Sequence, residues 1–256
     1  MKLAGRLYLA ALLLFLLGPA VVVAIDSINS ATSFPSPFEH ATLRWYVALA
    51  EHPEFIDAFG VSLVVAAAAA ACATVSGFAA ALALRRLQPG LRDAGVTVLM
   101  GPLLVPEIVV GLAVLQMAQL AGVPLGLGVL IGTHAVFVMP VAVRLVLGGM
   151  ARLDASVEQA ARSLGAGPLR ATWLVTIPLL RPSLAAAFVL SCVLSFVNLP
   201  LSMFLTGART ATLPVIVFAY MESRIDPLVA AVATLVMLIA VAAAVAVNLL
   251  SPVRHG

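Results

Sequence analysis

Polar and ionisable side chains inside apolar stretches are the residues of this chain that could do chemistry. Glu107 lies about halfway along one such stretch, His134 lies in another, and Ser195 and Asn198 share a third. An ionisable group at mid-membrane is costly and usually faces a bundle interior or water, so a functional role is the default hypothesis. We interpret these four side chains as candidates for a solute pathway.

Each candidate also has a structural interpretation. Glu107 could instead stabilise a helix bundle through a partner. His134 is more typical of a donor to a neighbouring helix than of a metal ligand, and no metal site is predicted. Ser195 and Asn198 could equally form hydrogen bonds between helices.

The chain lacks the residue patterns of hydrolases and of nucleotide-binding proteins. The only lysine is Lys2, whereas a phosphate-binding P-loop needs a lysine beside Ser or Thr in a glycine-rich loop. No HExxH or GxSxG pattern is present. We predict that the chain is not an enzyme, has no catalytic residues and needs no cofactor. If ATP drives it, another polypeptide binds the ATP.

The composition is that of a membrane protein. Hydrophobic residues make up 63% of the 256 residues and charged residues 10%, which does not suit a soluble surface. Apolar stretches long enough to cross a bilayer predict an all-α polytopic membrane protein with six transmembrane helices. The six predicted spans are 7–25, 60–84, 94–120, 127–147, 183–205 and 227–250.

Charge predicts the orientation of the chain. An even number of spans places both termini on one side. All 14 basic residues except Arg44, Arg209 and Arg224 fall on that side, and the positive-inside rule makes it cytoplasmic. Arginines scattered singly between spans do not indicate nucleic-acid binding. The predicted parts are a first transmembrane helix with a periplasmic segment (1–57), a transmembrane domain (58–251) and a cytoplasmic tail (252–256).

A polar segment between the fourth and fifth predicted spans begins with helix signals. Ser156 and Gln159 have the spacing of a capping box, which predicts a helix start. Glu158 and Arg162 are four residues apart and can pair on one face of that helix.

The same segment then predicts a turn and a second helix. Gly165 directly follows the periodic run, where a left-handed residue would end the first helix. Pro168 fits the first turn of a second helix, because its missing N–H has no intrahelical partner there. We expect Pro178 and Pro182 to close the helix pair.

This pattern resembles the EAA loop of binding-protein-dependent ABC transporter permeases. The matching residues are Glu158, Ala160, Ala161, Gly165, Pro168, Ile177 and Pro178. In that family the loop docks into the ATPase subunit. The resemblance therefore implies that residues 149–182 form a coupling loop.

The resemblance extends over roughly residues 58–250. The stretches LLVPEIVVGLAVL (103–115), FLTGARTATLPV (204–215) and MESRIDPLVAAVATLV (221–236) are similar to the second permease of spermidine/putrescine-type importers. The likeness implies a type I fold of six helices in a bacterial inner membrane. The implied partners are two ATPase subunits, a second homologous permease in a heterodimer, a periplasmic binding protein and the lipid bilayer.

The favoured solute is a polyamine or a related small amine. The polyamine branch tends to place acidic residues in the fifth span, whereas this chain has neutral Asn198 near that position. An unpaired charge at mid-membrane costs at least about 2.5 kcal/mol, and Glu107 is the only carboxylate within the predicted spans. Two alternatives stay open: an aminophosphonate or other zwitterionic or anionic solute, and a proton-coupled secondary transporter that uses Glu107 and His134.

Overall fold

The computed structural model describes residues 2–33, 37–207 and 209–250, so the predicted tail at 252–256 lies outside the described residues. Their secondary structure is helical apart from an isolated β-bridge between Asn29 and Ala41. The helices are α1 (Lys2–Asp26), α2 (Arg44–Ala50), α3 (Pro53–Leu84), α4 (Pro89–Leu99), α5 (Gly101–Leu104), α6 (Glu107–Leu120), α7 (Leu127–Ala151), α8 (Ala155–Ser163), α9 (Pro168–Ala171), α10 (Ile177–Phe196), α11 (Leu199–Leu205), α12 (Leu213–Ser223) and α13 (Leu228–Leu250).

Within the described ranges, five helices are long and apolar enough to cross a membrane, by length and composition. They are Gly5–Asp26, Pro53–Leu84, Leu127–Ala151, Pro168–Phe196 and Leu228–Ala246. The prediction of an all-α membrane protein with several spans is confirmed. The predicted third span is not among the five, because it is not a single helix.

The third predicted span is broken at a proline. A proline ring pushes the preceding residue out of the α region, and Val105, before Pro106, is extended with φ −91° and ψ 133°. The stretch therefore forms α4, α5 and α6, of 11, 4 and 14 residues, each shorter than the roughly 20 residues of a complete span. Glu107 is the first residue of α6, so a helix start lies at the middle of the predicted span.

The fifth predicted span was wrong at both ends, and Pro178 and Pro182 do not close the helix pair. Helical backbone is continuous from Pro168 to Phe196, with a π-helical turn at Thr172–Thr176 between α9 and α10. In a regular α-helix a proline ring clashes with the carbonyl four residues earlier. The wider π turn lies directly before Pro178 and accommodates that ring.

Other boundaries also differ from the predictions. Helix α3 begins at Pro53 rather than at residue 60, and α7 continues to Ala151 rather than to residue 147. The segment predicted as a polar return contains the 11-residue apolar helix α12. The added part of α3 contains Glu54 and Asp57, so composition alone does not mark the start of this helix.

The chain folds as two units, of which the first comprises Met1–Asp57 and Ile216–Ala242. Its polar segment is organised by one side chain. The Asn29 Oδ1 atom accepts hydrogen bonds from the N–H groups of Ala31 and Glu39, at 3.2 and 3.1 Å. The Trp45 indole N–H donates to the Asn29 carbonyl at 2.8 Å. The segment after α1 is therefore a structured loop rather than a linker.

The second unit comprises Ala58–Val215 and Ala243–Gly256. Its core lies among α3, α7, α10 and α11. The buried core residues are Ala73, Ala81, Phe137, Val138, Ala142, Val146, Met150, Leu180, Ala187 and Leu201. Small residues let the helices approach closely: a Cβ atom added at Gly77 of α3 would lie 3.0 Å from the Ala142 Cβ of α7.

The contact between α7 and α10 yields a stability prediction. A Cβ atom added at Gly149 would lie 2.7 Å from the Ser183 Cβ, whereas one added at the neighbouring Gly148 would meet nothing within 4 Å. Overpacking costs about 1–3 kcal/mol, so we expect Gly149→Ala to lower the thermal unfolding midpoint of the detergent-purified protein. Gly148→Ala is the matched control and should leave the midpoint unchanged or higher. Equal midpoints for the two variants would contradict the close contact.

Candidate solute pathway and coupling loop

The structure brings the four predicted pathway residues together. Glu107 is the first residue of α6, His134 lies on α7, Ser195 lies near the end of α10, and Asn198 is the N-cap of α11. His134, Ser195 and Asn198 are buried, and Glu107 is half-buried. Hydrogen bonds connect all four.

Asn198 joins two helix starts. Its Nδ2–H donates to the Glu107 Oε2 at 3.0 Å, and its Oδ1 accepts the Leu201 N–H at 3.0 Å. The second bond caps α11, since the first N–H groups of a helix have no intrahelical partner. Glu107 lies in the first turn of α6, where the helix macrodipole stabilises a negative charge.

His134 is held between two serines. Its Nδ1 lies 2.8 Å from the Ser195 Oγ, and its Nε2 lies 3.2 Å from the Ser202 Oγ. The Ser202 hydroxyl donates its only hydrogen to the Asn198 carbonyl at 2.7 Å, so it must accept from the His134 Nε2–H. Neutral imidazole has one donor and one acceptor, which leaves Nδ1 to accept from Ser195.

The interpretation of His134 as a donor to neighbouring helices agrees with these contacts. In the part of the chain that the structure describes, no group of three His, Cys, Asp or Glu side chains could hold a metal ion. Ser202 belongs to the network but was missed from the sequence. The available signal was its spacing of four residues after Asn198, which places both on one helix face.

The first helix of the predicted coupling loop has its N-cap two residues earlier than expected. The N-cap is Asp154, whose carboxylate accepts the Ser156 N–H at 2.9 Å. Ser156 and Gln159 therefore do not form a capping box, and that prediction was wrong. The hydrogen bond from Ser156 holds the pKa of Asp154 below its usual value.

The turn between α8 and α9 has the predicted geometry. Gly165 has a positive φ of 87°, which an L side chain adopts only with strain. The Gly165 N–H donates to the Arg162 carbonyl at 2.9 Å, and the Ala166 N–H donates to the Ala161 carbonyl at 3.1 Å. This pair of bonds is the Schellman motif. Pro168 is the first residue of α9, as predicted.

The other predicted loop residues fall into two groups. Glu158 pairs with Arg162, as predicted, at 3.0 Å, and also accepts a hydrogen bond from Arg85. The bond from Arg85 holds the pKa of Glu158 below its usual value. Ala160 is exposed and Ala161 half-buried on α8.

Ile177 and Pro178 lie outside the turn. They are the first two residues of α10, and both are half-buried. They belong to the long helix that continues into the bundle, so only the earlier loop residues form the helix–turn–helix itself.

Comparisons with known proteins now bear on this geometry. No family model matches the chain. The putrescine transport system permease protein PotI of Escherichia coli is 30% identical over 230 residues, covering 87% of this chain and 82% of that protein. This chain belongs to the permease family of ABC transport systems.

Other relatives cover similar shares of the permease. The spermidine/putrescine transport system permease protein PotC of Escherichia coli is 29% identical over 255 residues, covering 96% of the permease and 95% of that protein. PhnV of Salmonella typhimurium, named for 2-aminoethylphosphonate transport, is 31% identical over 211 residues, covering 81% and 78%.

Solved structures agree on the fold. A bacterial ABC transporter that imports the acidic polysaccharide alginate matches the permease with a TM-score of 0.69 at 16% identity, covering 100% of the permease and 96% of that chain. The alginate transporter in complex with its alginate-bound periplasmic protein matches with a TM-score of 0.67 at 15% identity, covering 97% and 92%.

The contact between Asn198 and Glu107 yields a second stability prediction. Asn198→Asp would place two carboxylates at the 3.0 Å contact and should destabilise the permease by roughly 1–3 kcal/mol. Glu107→Gln should change stability little, because its amide oxygen still accepts. The double variant should recover stability, because the glutamine amide then donates to the new carboxylate. Thermal unfolding midpoints of the four proteins test this, and a double variant no more stable than Asn198→Asp would contradict the contact.

Proposed function

We propose that this permease forms half of the translocation pathway of an ATP-driven importer for a polyamine or related small amine. The observation that carries the substrate proposal is the breadth of the match to PotI and PotC. Both are named for polyamine transport, and the match reaches 82% and 95% of their lengths.

The proposed partners follow from what the chain lacks and from its relatives. With Lys2 as the only lysine, the chain has no P-loop lysine, so ATP would be bound and hydrolysed by two partner subunits. A second, homologous permease would complete the pathway, because one subunit supplies half of it. A periplasmic binding protein would deliver the solute, as the complex of the alginate transporter illustrates.

Coupling would run along one continuous helix. The helix from Pro168 to Phe196 has 29 residues and is about 43 Å long. It begins at the turn after Gly165 and ends two residues before Asn198. ATP-driven movement of the coupling loop would therefore displace the end of α10 beside the candidate pathway, as a rigid-body change that alternates access.

Glu107 is the proposed contact for an ammonium group of the solute. It is half-buried and holds one hydrogen bond from Asn198, so its carboxylate can accept further bonds. A polyamine carries several positive charges, and the second permease would supply the remaining carboxylates.

An aminophosphonate importer is the second candidate. PhnV is 31% identical over 211 residues, and the start of α6 offers the N–H groups and dipole that favour an anion. A solute with both an ammonium and a phosphonate group would match Glu107 and the start of α6 together.

A proton-coupled secondary transporter is disfavoured. The hydrogen bonds between His134 and Glu107 pass through Ser202 and Asn198, and a carboxamide does not release and rebind protons at neutral pH. The network therefore fixes positions rather than relaying protons.

Uptake by the reconstituted complex tests the proposed substrate. We would co-express the permease with its proposed ATPase, second-permease and binding-protein partners, and compare uptake of putrescine, spermidine and 2-aminoethylphosphonate. Uptake of a polyamine is expected. Glu107→Gln should reduce that uptake about tenfold or more, equivalent to about 1.4 kcal/mol, because the pathway loses its charge while keeping an acceptor for Asn198.

The control is the amount and thermal stability of the assembled Glu107→Gln complex, which should equal those of the parent. Uptake of 2-aminoethylphosphonate alone would favour the second candidate. Unchanged polyamine uptake by Glu107→Gln would remove Glu107 from the pathway.

The proposed orientation places both termini and the coupling loop on the cytoplasmic side of a bacterial inner membrane. Ser163 and Glu51 are both exposed. In a protein whose Cys72 and Cys192 are replaced, a single cysteine at either position therefore reports on which side of the membrane that position lies. An impermeant maleimide should label Glu51→Cys in intact spheroplasts and Ser163→Cys only after lysis. Labelling of Ser163→Cys in intact spheroplasts would invert the orientation.

A further inference from the structure

We propose that Arg85 is a positioning residue that ties the coupling loop to the end of α3. Movement of α8 would then reach this spanning helix as well as α10. The proposal rests on the proposed function, since it describes how the coupling loop of that importer is held.

Apolar burial does little to hold α8. None of the α8 side chains that the structure describes is buried. Val157 is 43% exposed, and Leu164, at the C-cap, is 89% exposed. Burying a Leu or Val side chain contributes about 1.5–3 kcal/mol, and α8 forgoes most of that contribution. Polar contacts therefore contribute to its position, together with its packing beside the π-helical turn and α9.

The best shielded polar group on α8 is Glu158. Its side chain is 14% exposed, and it accepts hydrogen bonds from two arginines through different oxygens. Arg162 lies on α8 itself, so this pair is local. Arg85 is 73 residues away in sequence and follows Leu84, the last residue of α3. The pair with Arg85 is therefore the one that joins α8 to another helix.

A cavity beside α8 explains why the pair between Arg85 and Glu158 would matter for coupling. A cavity of about 380 Å³ lies beside α8, and its lining includes Arg85, Glu158, Val175, Thr176 and Leu179. Val175 and Thr176 belong to the π-helical turn, so space rather than packed side chains separates part of α8 from the long helix. Without Arg85, displacement of α8 could be absorbed in that space instead of being transmitted.

The strength of the pair suits a positioning role. Exposed ion pairs contribute about 0–1 kcal/mol to stability, and the Arg85 side chain is 34% exposed. Removing it should therefore leave the fold nearly intact. Loss of Arg85 should instead reduce coupling, because a small change in the position of α8 would allow ATP hydrolysis without transport.

The test compares reconstituted complexes that carry Arg85→Ala, Arg85→Lys or Arg86→Ala. Arg86 is the matched control, because it is the adjacent exposed arginine and forms no ion pair within the described residues. ATP hydrolysis is measured with and without the loaded binding protein, together with uptake of whichever of putrescine, spermidine and 2-aminoethylphosphonate the parent transports. Uptake per ATP should fall about fivefold or more in Arg85→Ala. Arg85→Lys should recover most of it, and Arg86→Ala should match the parent.

Two further variants keep the outcomes distinct. Gly165→Val strains the left-handed turn and should abolish uptake if the loop couples at all. Normal uptake per ATP in Arg85→Ala beside a loss in Gly165→Val would overturn the tie while leaving the proposed function standing. Normal uptake in both would remove the loop from the coupling mechanism, whereas absence of uptake by the parent complex would overturn the proposed function.

A structural role for Arg85 predicts a different result. If the role is structural, Arg85→Ala should lower the amount and the thermal midpoint of the assembled complex, and uptake should fall in the same proportion. Uptake per ATP should then stay unchanged. That outcome would also overturn the proposal. If Arg85→Ala fails to assemble, Glu158→Gln provides the test, because it removes the charge and keeps an acceptor. Full uptake per ATP in Glu158→Gln would then refute the tie.

Discussion

The Asn198 carboxamide pairs with two polar groups inside an apolar bundle: a backbone N–H at the start of α11 and the Glu107 carboxylate at the start of α6. Unpaired backbone groups are tolerated at membrane depth only where protein or a water-filled cavity surrounds them. Asn198 caps α11 through the Leu201 N–H and donates to Glu107 at the start of α6. Its carbonyl orients Ser202, which in turn fixes the tautomer of His134. The hydrogen bonds that link α6, α7, α10 and α11 therefore meet at one residue, Asn198, through its side chain and its backbone carbonyl.

The hydrogen-bonded network and the predicted coupling loop lie at opposite ends of one helix. The long helix that begins at Pro168 ends at Phe196, two residues before Asn198. Under the proposed function, a displacement of the first turn of this helix would change the geometry at its last turn. The π-helical turn at Thr172–Thr176 is the irregular part of this helix, and it lies close to the loop rather than to the pathway. The α10 segment from Ile177 to Phe196 is α-helical throughout.

Features with local causes could be predicted from the sequence. Apolar stretches predicted most spans because a bilayer demands length and apolarity, and Gly165 was predicted because a left-handed helix end favours glycine. Pro168 was correctly predicted at a helix start, whereas the effects of Pro106 and Pro182 were not predicted. Pro106 breaks a helix, while Pro182 lies inside one, because the outcome depends on how neighbouring turns accommodate the ring. Contacts between distant residues, such as Arg85 with Glu158, leave no local spacing to detect.

The position of Glu107 at a helix start affects how its carboxylate is stabilised. In mid-span, a carboxylate would be costly to keep ionised and would depend on a bound cation. At the start of α6, the helix dipole and the Asn198 amide already stabilise the charge. The Glu107 side chain is therefore held by contacts within the protein, through Asn198 and the start of α6. In the proposed pathway, an ammonium group of the solute would meet an acceptor that Asn198 has already oriented.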